Sequence, residues 1–310
     1  MTYASERMVI AGGSGFLGRA LARYFEHRYD VVVLSRTSRP VPGARVVEWD
    51  GCTMGAWSIE LEGAAVLINL SGRSVNCRAT RRNKREMMDS RVLATRVLGD
   101  VIAICDDPPP VWINAGTATI YRHSLERAYG EDGEIGATPG LGDGFAIEIA
   151  MAWEQAFGEA ARDGVRQIIQ RTAMVMENEA ETVYDVLSGL ARRGIGGRQG
   201  SGDQFVSWLH IDDYCRITDW MINTVEAEGV YNVCAPEPVT NAAMMAQFRE
   251  QVGATCGLPS PRWLLEVGAF FMRTETELIL KSRNTVPRRL LAEGFEFQHS
   301  EFAAAMAALA

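Results

Sequence analysis

The sequence has six cysteines, at 52, 77, 105, 215, 234 and 256, with no C-x-x-C pair among them. Its four histidines, at 27, 123, 210 and 299, stand too far apart to read as a metal-ligand motif. These gaps exclude a disulfide framework, and no metal is expected. Positive charge is also short: 31 Lys and Arg against 39 Asp and Glu give a formal net charge of -8. A nucleic-acid partner is therefore not expected, because neutralising phosphates needs a basic face. No apolar run approaches the ~18 residues that span a bilayer, and Met1–Arg7 lacks the basic start and apolar stretch of a secretory leader. No membrane partner is expected, and the expected location is the cytoplasm.

What is present is a regular alternation. Short β-branched runs ("RMVIAG", "VVVLSR", "ARVVEW", "AAVLINL", "PPVWINAG", "VRQIIQRTAMV") are separated by segments of helical period, such as "FLGRALARYFEHR" with Leu17, Leu21, Tyr24 and Phe25 on one stripe. With 47% hydrophobic residues in 310, a large core is affordable, and the pattern predicts an α/β fold with a doubly wound parallel sheet of Rossmann type. Beyond Val175 helical stretches dominate, at 182–193, 212–227, 240–252 and 263–281, with short strands at "QFVSWLH" and "GVYNV". They predict a smaller, mostly helical C-terminal cap. Residues 1–172 are read as a dinucleotide-binding domain, rejoined by a strand near 229–233, and 173–310 mainly as the substrate-binding cap.

The dinucleotide assignment rests on "MVIAGGSGFLGRAL", which places Gly12, Gly15 and Gly18 after the first strand and at the opening of the first helix. Gly12 permits a tight turn, Gly15 lets the backbone approach a pyrophosphate, and Gly18 lets the helix pack on the strand. Phe16 and Leu17 open the helix whose N-terminus attracts the anion. At the end of the second strand, NAD-preferring sites place a carboxylate on the adenosine ribose. Here "VVVLSRTSR" offers Ser35 and Arg36, with Arg39 nearby, which suit a 2′-phosphate, so the expected cofactor is NADP(H). Asp50 has two readings, an adenine contact or a cap of the next segment.

The ordered motifs "AGGSGFLGRAL", "VLINLSG", "NKREMMDSRVLATRVL", "MAWEQAF", "GSGDQFVSWLHIDDYCR", "YNVCAPEPVTNAAM" and "PRRLLAEGFEF" run along nearly the whole chain. On them the sequence resembles the extended short-chain dehydrogenases/reductases. More narrowly, it resembles an atypical group named as NAD(P)-dependent nucleoside-diphosphate-sugar epimerases, which carries a C-terminal domain of unassigned function. The resemblance implies that Asn69, Leu70 and Gly72 lie under the nicotinamide half of the cofactor, and that Thr117 holds the Ser/Thr position after strand five. Standard relatives add a Tyr-x-x-x-Lys on the next helix, whose tyrosine exchanges a proton with the substrate. Anchored on Trp153 and Glu154, those two places fall on Ala146 and Ala150, so that pair is expected to be missing. The segments 122–140 and 176–182 also depart from the narrower family, which makes substrate identity transfer poorly.

The remaining candidates each carry two readings. Tyr121 is a weak acid acting with Thr117, or a core aromatic; His123 is an acid/base group, or an exposed loop residue. Arg73, Arg78, Arg81, Arg82, Lys84 and Arg85 receive an anionic substrate or form a solvated basic helix start. Of this segment Lys84, Ser90 and Arg91 match the family motif, and Lys84 and Arg91 are taken as substrate ligands. Gln204, in a Gly-rich loop, contacts substrate or simply connects elements. Asp212 or Asp213 caps a helix, with His210 bracing the cleft wall, while Trp153 packs and Glu154 braces. The expected function is an NADP(H)-binding, epimerase-like oxidoreductase acting on a small hydroxyl- or carbonyl-bearing substrate, with Thr117 and Tyr121 catalytic. The alternative is a non-redox protein: an NADP(H)-sensing regulator or binding module, or a cofactor-independent isomerase or cyclase.

Overall fold

The computed structural model describes residues 6–75, 77–261 and 277–310. The early strands are β1 (Arg7–Ala11), β2 (Asp30–Ser35), β3 (Arg45–Glu48), β4 (Val66–Asn69), β5 (Val111–Thr117) and β6 (Arg166–Thr172). Three short ones follow, β7 (Met174–Met176), β8 (Phe205–Val206) and β9 (Trp208–His210), then β10 (Gly229–Val233) and β11 (Val239–Thr240). The helices are α1 (Phe16–Phe25), α2 (Arg81–Ile104), α3 (Gly144–Glu159), α4 (Val183–Arg192), α5 (Ile211–Asn223), α6 (Asn241–Gln251), α7 (Arg288–Ala292) and α8 (Phe302–Ala308).

Seven strands form one parallel sheet in the order β10-β6-β5-β4-β1-β2-β3. Such a sheet needs both faces covered, and the alternation within β1 shows how. Met8 and Ile10 face Leu21 and Phe25 of α1 and Tyr214 and Ile217 of α5. Val9 and Ala11 face the other way, into a core with Ala94, Leu98 and Val101 of α2 and Phe157 of α3. The chain leaves β1 for β2 on one side and returns to β4 on the other. This leaves a crevice at the carboxyl ends of β1 and β4, where open α/β sheets bind ligands.

The cap is a separate cluster built on Tyr184, Leu187, Trp208, Met244, Phe248, Phe302 and Met306. It does not hold everything after residue 173. Helix α5, β10 and the stretch carrying Leu290 and Phe295 pack into the sheet's own core, because their apolar faces fit the α1 side of the sheet. The expected single strand "VRQIIQRTAMV" breaks at Ala173, whose N–H is held by the Val233 carbonyl at 3.0 Å. Past the break, β7 leaves the main sheet and pairs with β9. Of the helix expected at 263–281, residues 263–276 lie outside the described residues and Glu277–Leu280 is helical. Residues 282–285 then run in extended contact with Phe205 and Ser207 on one side and Tyr129 on the other.

Candidate functional site

The glycine turn is built by backbone geometry. Gly12 has φ +73°, and a Cβ there would lie 2.8 Å from the Ser71 backbone, so both its conformation and its packing demand glycine. A Cβ on Gly18 would fall 2.3 Å from Gly13 Cα, which fixes the approach of α1 to the turn. A Cβ on Gly15, by contrast, would meet only the Gly12 carbonyl at 3.9 Å. Gly15 is the N-cap of α1 and supplies no side-chain hydrogen bond, and among the described residues no side chain accepts from the first-turn N–H groups of Phe16 and Leu17. That arrangement fits a dinucleotide pyrophosphate. Arg19 holds the turn by donating to the Ser14 carbonyl at 2.8 Å and pairs with Glu179 beyond β7.

Ser35 ends β2, buried, with its hydroxyl accepting from the Thr37 N–H at 3.3 Å. Arg36 follows it, exposed, and no carboxylate occurs between Val31 and Val47. Asp50 resolves as a turn cap: its carboxylate accepts from the Cys52 and Thr53 N–H groups, each at 2.8 Å, and from the Thr53 hydroxyl, which hold its pKa well below the usual carboxylate range.

At the end of β4, Asn69 is fully buried and turned inward. Its amide donates to Asn114 at 2.7 Å and Thr95 at 3.0 Å, and its oxygen accepts from the Ser71 N–H. Trp153 of α3 donates to the same Thr95 hydroxyl at 3.1 Å, so it is both packed and bonded. The Asn69 side chain therefore ties β4, β5, α2 and α3 together and is not free for a ligand, whereas the Ser71 hydroxyl is buried without a hydrogen-bond partner among the described residues. Leu70 is anchored by its N–H to the Ala11 carbonyl at 2.8 Å. Against Gly72 lies the Arg91 guanidinium, which packs over Trp153 at 5.2 Å and whose pKa burial lowers to about 10. Lys84, near the start of α2, lies 4.6 Å over the Phe145 ring in the first turn of α3.

The end of β5 departs from the expectation. Thr117 is half-buried and caps the short turn 118–120 by accepting from the Thr119 N–H at 3.2 Å. Tyr121, expected to act beside it, is a core group. Its hydroxyl donates to Asn232 Oδ1 and accepts from Arg171, both at 2.8 Å, and burial pushes its pKa up to about 12. A hydroxyl with both bonding directions filled and a raised pKa is no acid for a substrate in the crevice, so the core reading of Tyr121 replaces the catalytic one. Arg171 is also gripped by both carboxylate oxygens of Glu154, at 2.8 and 2.7 Å, which makes Glu154 a brace. Helix α3 contains neither tyrosine nor lysine; Ala146 stands in its first turn, and Ala150 is buried with Ile120, Tyr121 and Tyr129.

Spacing alone did not reveal what surrounds this end. Lys281, fully buried, donates to the Thr119 carbonyl and pairs with Asp143, each at 2.8 Å, while Arg283 donates to the Thr119 hydroxyl at 3.0 Å. Asp143 is the N-cap residue of α3. His123 accepts the Ser282 N–H at Nδ1 (2.9 Å), and burial together with Lys281 lowers its pKa. With that acceptor filled, neutral His123 carries its proton on Nε2 and is a hydrogen-bond donor. The C-terminal segment thus reaches the β5 end directly. No local motif joins Lys281 to Asp143, so only the fold reveals the pair.

Gln204 lies elsewhere. It is buried in the cap loop with its amide donating to the Gln199 carbonyl at 2.8 Å, which corrects its reading as a substrate ligand to that of a loop brace. The α5 cap is His210, whose Nδ1 accepts the Asp212 N–H at 3.1 Å, whereas Asp213 accepts the N–H groups of Gln298 and His299. His210, Asp212 and His299 lie close enough for a cation. The two imidazoles, however, stack at 3.7 Å and 22°, so their in-plane lone pairs run side by side and do not converge on one ion.

Known proteins share this architecture. Residues 8–234 match the model of the NAD dependent epimerase/dehydratase family, and residues 260–309 match a domain of unknown function, DUF1731. The chain is 30% identical to the epimerase family protein SDR39U1 of Bos taurus over 306 residues, 97% of this chain and 98% of the relative. It superposes on the human epimerase family protein SDR39U1, solved with NADPH, with a TM-score of 0.84 and 28% identity over 98% of each chain. The enzyme WbmG of Bordetella bronchiseptica, solved with NAD and UDP, shares the fold at a TM-score of 0.75 and 15% identity, over 98% of this chain and 93% of that one. With its glycine turn, its parallel sheet and a family match across most of its length, the chain belongs to the NAD dependent epimerase/dehydratase family.

Proposed function

We propose that the chain binds NADP(H) across the β1/β4 crevice and acts as an epimerase-like oxidoreductase on a small hydroxyl- or carbonyl-bearing substrate with an anionic group. The observation that carries this reading is the end of β2, where Ser35 is followed by exposed Arg36 and not by a carboxylate, near an α1 N-terminus that has no side-chain cap, with Glu48 of β3 in register with Ser35. A 2′-phosphate gains charge-assisted bonds from Arg36 there, whereas β2 itself ends on no carboxylate to accept from a free ribose. The human relative's NADPH supports the same choice. When bound, the dinucleotide supplies hydride exchange at its nicotinamide ring. The chain orients the substrate oxygen with Thr117 and receives its anionic group at Lys84, beside the first turn of α3. Free thiols at all six cysteines agree with a cytoplasmic setting.

Because α3 offers no tyrosine or lysine, a non-redox role is the second reading, with the dinucleotide sensed or not needed. One experiment separates them. The protein is incubated with NADPH or NADP and a panel of nucleoside-diphosphate sugars and small ketones, with product and nicotinamide absorbance both followed, for wild type and Thr117→Val. Cofactor-dependent turnover that falls at least about tenfold in Thr117→Val supports the proposal, since a lost hydrogen bond to the reacting oxygen is worth roughly that much. Product formed with no cofactor requirement, or full activity in the variant, contradicts it.

A further inference from the structure

We infer that Arg91, reaching in from α2, holds the nicotinamide ribose of the cofactor, in the place where α3 has no lysine to offer. The inference rests on the cofactor reading above and assigns Arg91 to the dinucleotide and not to a substrate anion.

Three observations carry it. The first is the bonding of the side chain. A guanidinium has five N–H donors, yet Arg91 makes one hydrogen bond among the described residues, Nη1 to the Met87 carbonyl at 3.0 Å, and no ion pair. Other inward-facing arginines are far better satisfied. Arg171 takes both oxygens of Glu154 and the Tyr121 hydroxyl, and Arg166 takes the carbonyls of Met221, Ala227 and Ile222. The side chain is half-buried, and its unbonded N–H groups are not sealed in the core, so a ligand entering beside Gly72 can take them.

The second is place. The Arg91 Cζ lies 3.0 Å from where a Cβ on Gly72 would stand, and the residue before Gly72, Ser71, abuts the Gly12 turn. The adenine end is fixed over β2 by Ser35 and Arg36, so a dinucleotide crossing the Gly12 turn carries its second ribose toward β4 and β5, past Gly72. The third is rigidity. Trp153, against which the guanidinium packs, is itself bonded to Thr95, and through Thr95 to Asn69 of β4. The cation is thus held in position before any ligand arrives, and its open N–H groups suit the two ribose hydroxyls.

The test is calorimetric titration of wild type, Arg91→Gln and Arg91→Lys with two ligands. These are NADPH and 2′-phosphoadenosine 5′-diphosphate, which keeps the adenine half and both bridging phosphates but lacks the second ribose and the nicotinamide. Arg91→Gln is expected to weaken NADPH on the order of ten- to a hundredfold, the usual worth of hydrogen bonds to a charged donor, and to leave the fragment unchanged. Arg91→Lys is expected to recover part of the loss, and it carries the test if the glutamine variant does not fold. Unchanged NADPH affinity overturns the assignment. Equal weakening of both ligands also overturns it, by placing Arg91 on the diphosphate or in the fold. A wild type that binds neither ligand removes the cofactor reading itself, while one that binds NADPH indifferently to Arg91 removes only this inference.

Discussion

The two ends of the crevice are built by opposite means. At the adenine end the constraints are local and made of backbone: Gly12 is held at φ +73°, Gly18 is pressed on Gly13, and the Ser35–Arg36 pair ends the neighbouring strand. At the β5 end they are side chains converging from distant parts of the chain. Tyr121 is locked by Arg171 and Asn232, and Lys281 arrives from the C-terminal segment to sit on Asp143 and Thr119. At the first end the geometry is set by neighbouring backbone, and at the second by hydrogen bonds and ion pairs between side chains far apart in the sequence.

The largest effect is expected at the β5 end. Glu154→Ala removes the counter-ion of the buried Arg171 guanidinium and should cost about 3–5 kcal/mol of stability, read from urea unfolding, because the buried charge keeps only neutral partners such as the Tyr121 hydroxyl. A loss under about 1 kcal/mol, the worth of an exposed pair, would break the contrast. Gly18→Ala probes the adenine end by the same measurement. Backbone on both sides leaves little room to relax, so about 1–3 kcal/mol of overpacking cost is expected, together with weaker NADPH binding.

Tyr121→Phe sharpens the comparison further. It leaves Asn232 Oδ1 and one Arg171 N–H without their partner, so stability should drop by about 1–2 kcal/mol while NADPH affinity stays unchanged. Turnover that collapses in a variant of undiminished stability would restore the catalytic reading. The smallest effect is a pH dependence. Burial and the neighbouring His299 lower the pKa of His210, with Asp212 and Asp213 acting in the opposite sense, and His123 is lowered as well. The unfolded chain then binds protons more readily than the folded one, so stability should fall as pH drops below about 6.5. His210→Asn keeps a helix-capping side chain and removes the titration, so it should flatten part of that slope; a slope unchanged in the variant would remove His210 as its source.

The fold was legible because its signals are local. Alternating apolar runs fixed the strands, and the glycine turn needs neighbours only a few residues away. The break at Ala173 and the return of α5 to the sheet were not legible, since both depend on which face of a distant element an apolar stripe finds. The site divides in the same way. The glycines, Ser35 and Arg36 stand where the motif puts them, and the backbone of 69–72 borders the crevice. Tyr121 and Gln204 were misread because a polar side chain at a suggestive position carries no mark of where its bonds go. Arg171 and Asn232 decide the first, and the Gln199 carbonyl decides the second.

Selection of the phosphorylated dinucleotide at the end of β2 is tested by calorimetric titration of wild type and Arg36→Asp with NADPH and NADH. Wild type is expected to prefer NADPH on the order of ten- to a hundredfold, from charge-assisted contacts worth about 1.5–3 kcal/mol, and Arg36→Asp to abolish the preference. Equal affinities in the wild type, or a preference that survives in Arg36→Asp, would contradict it.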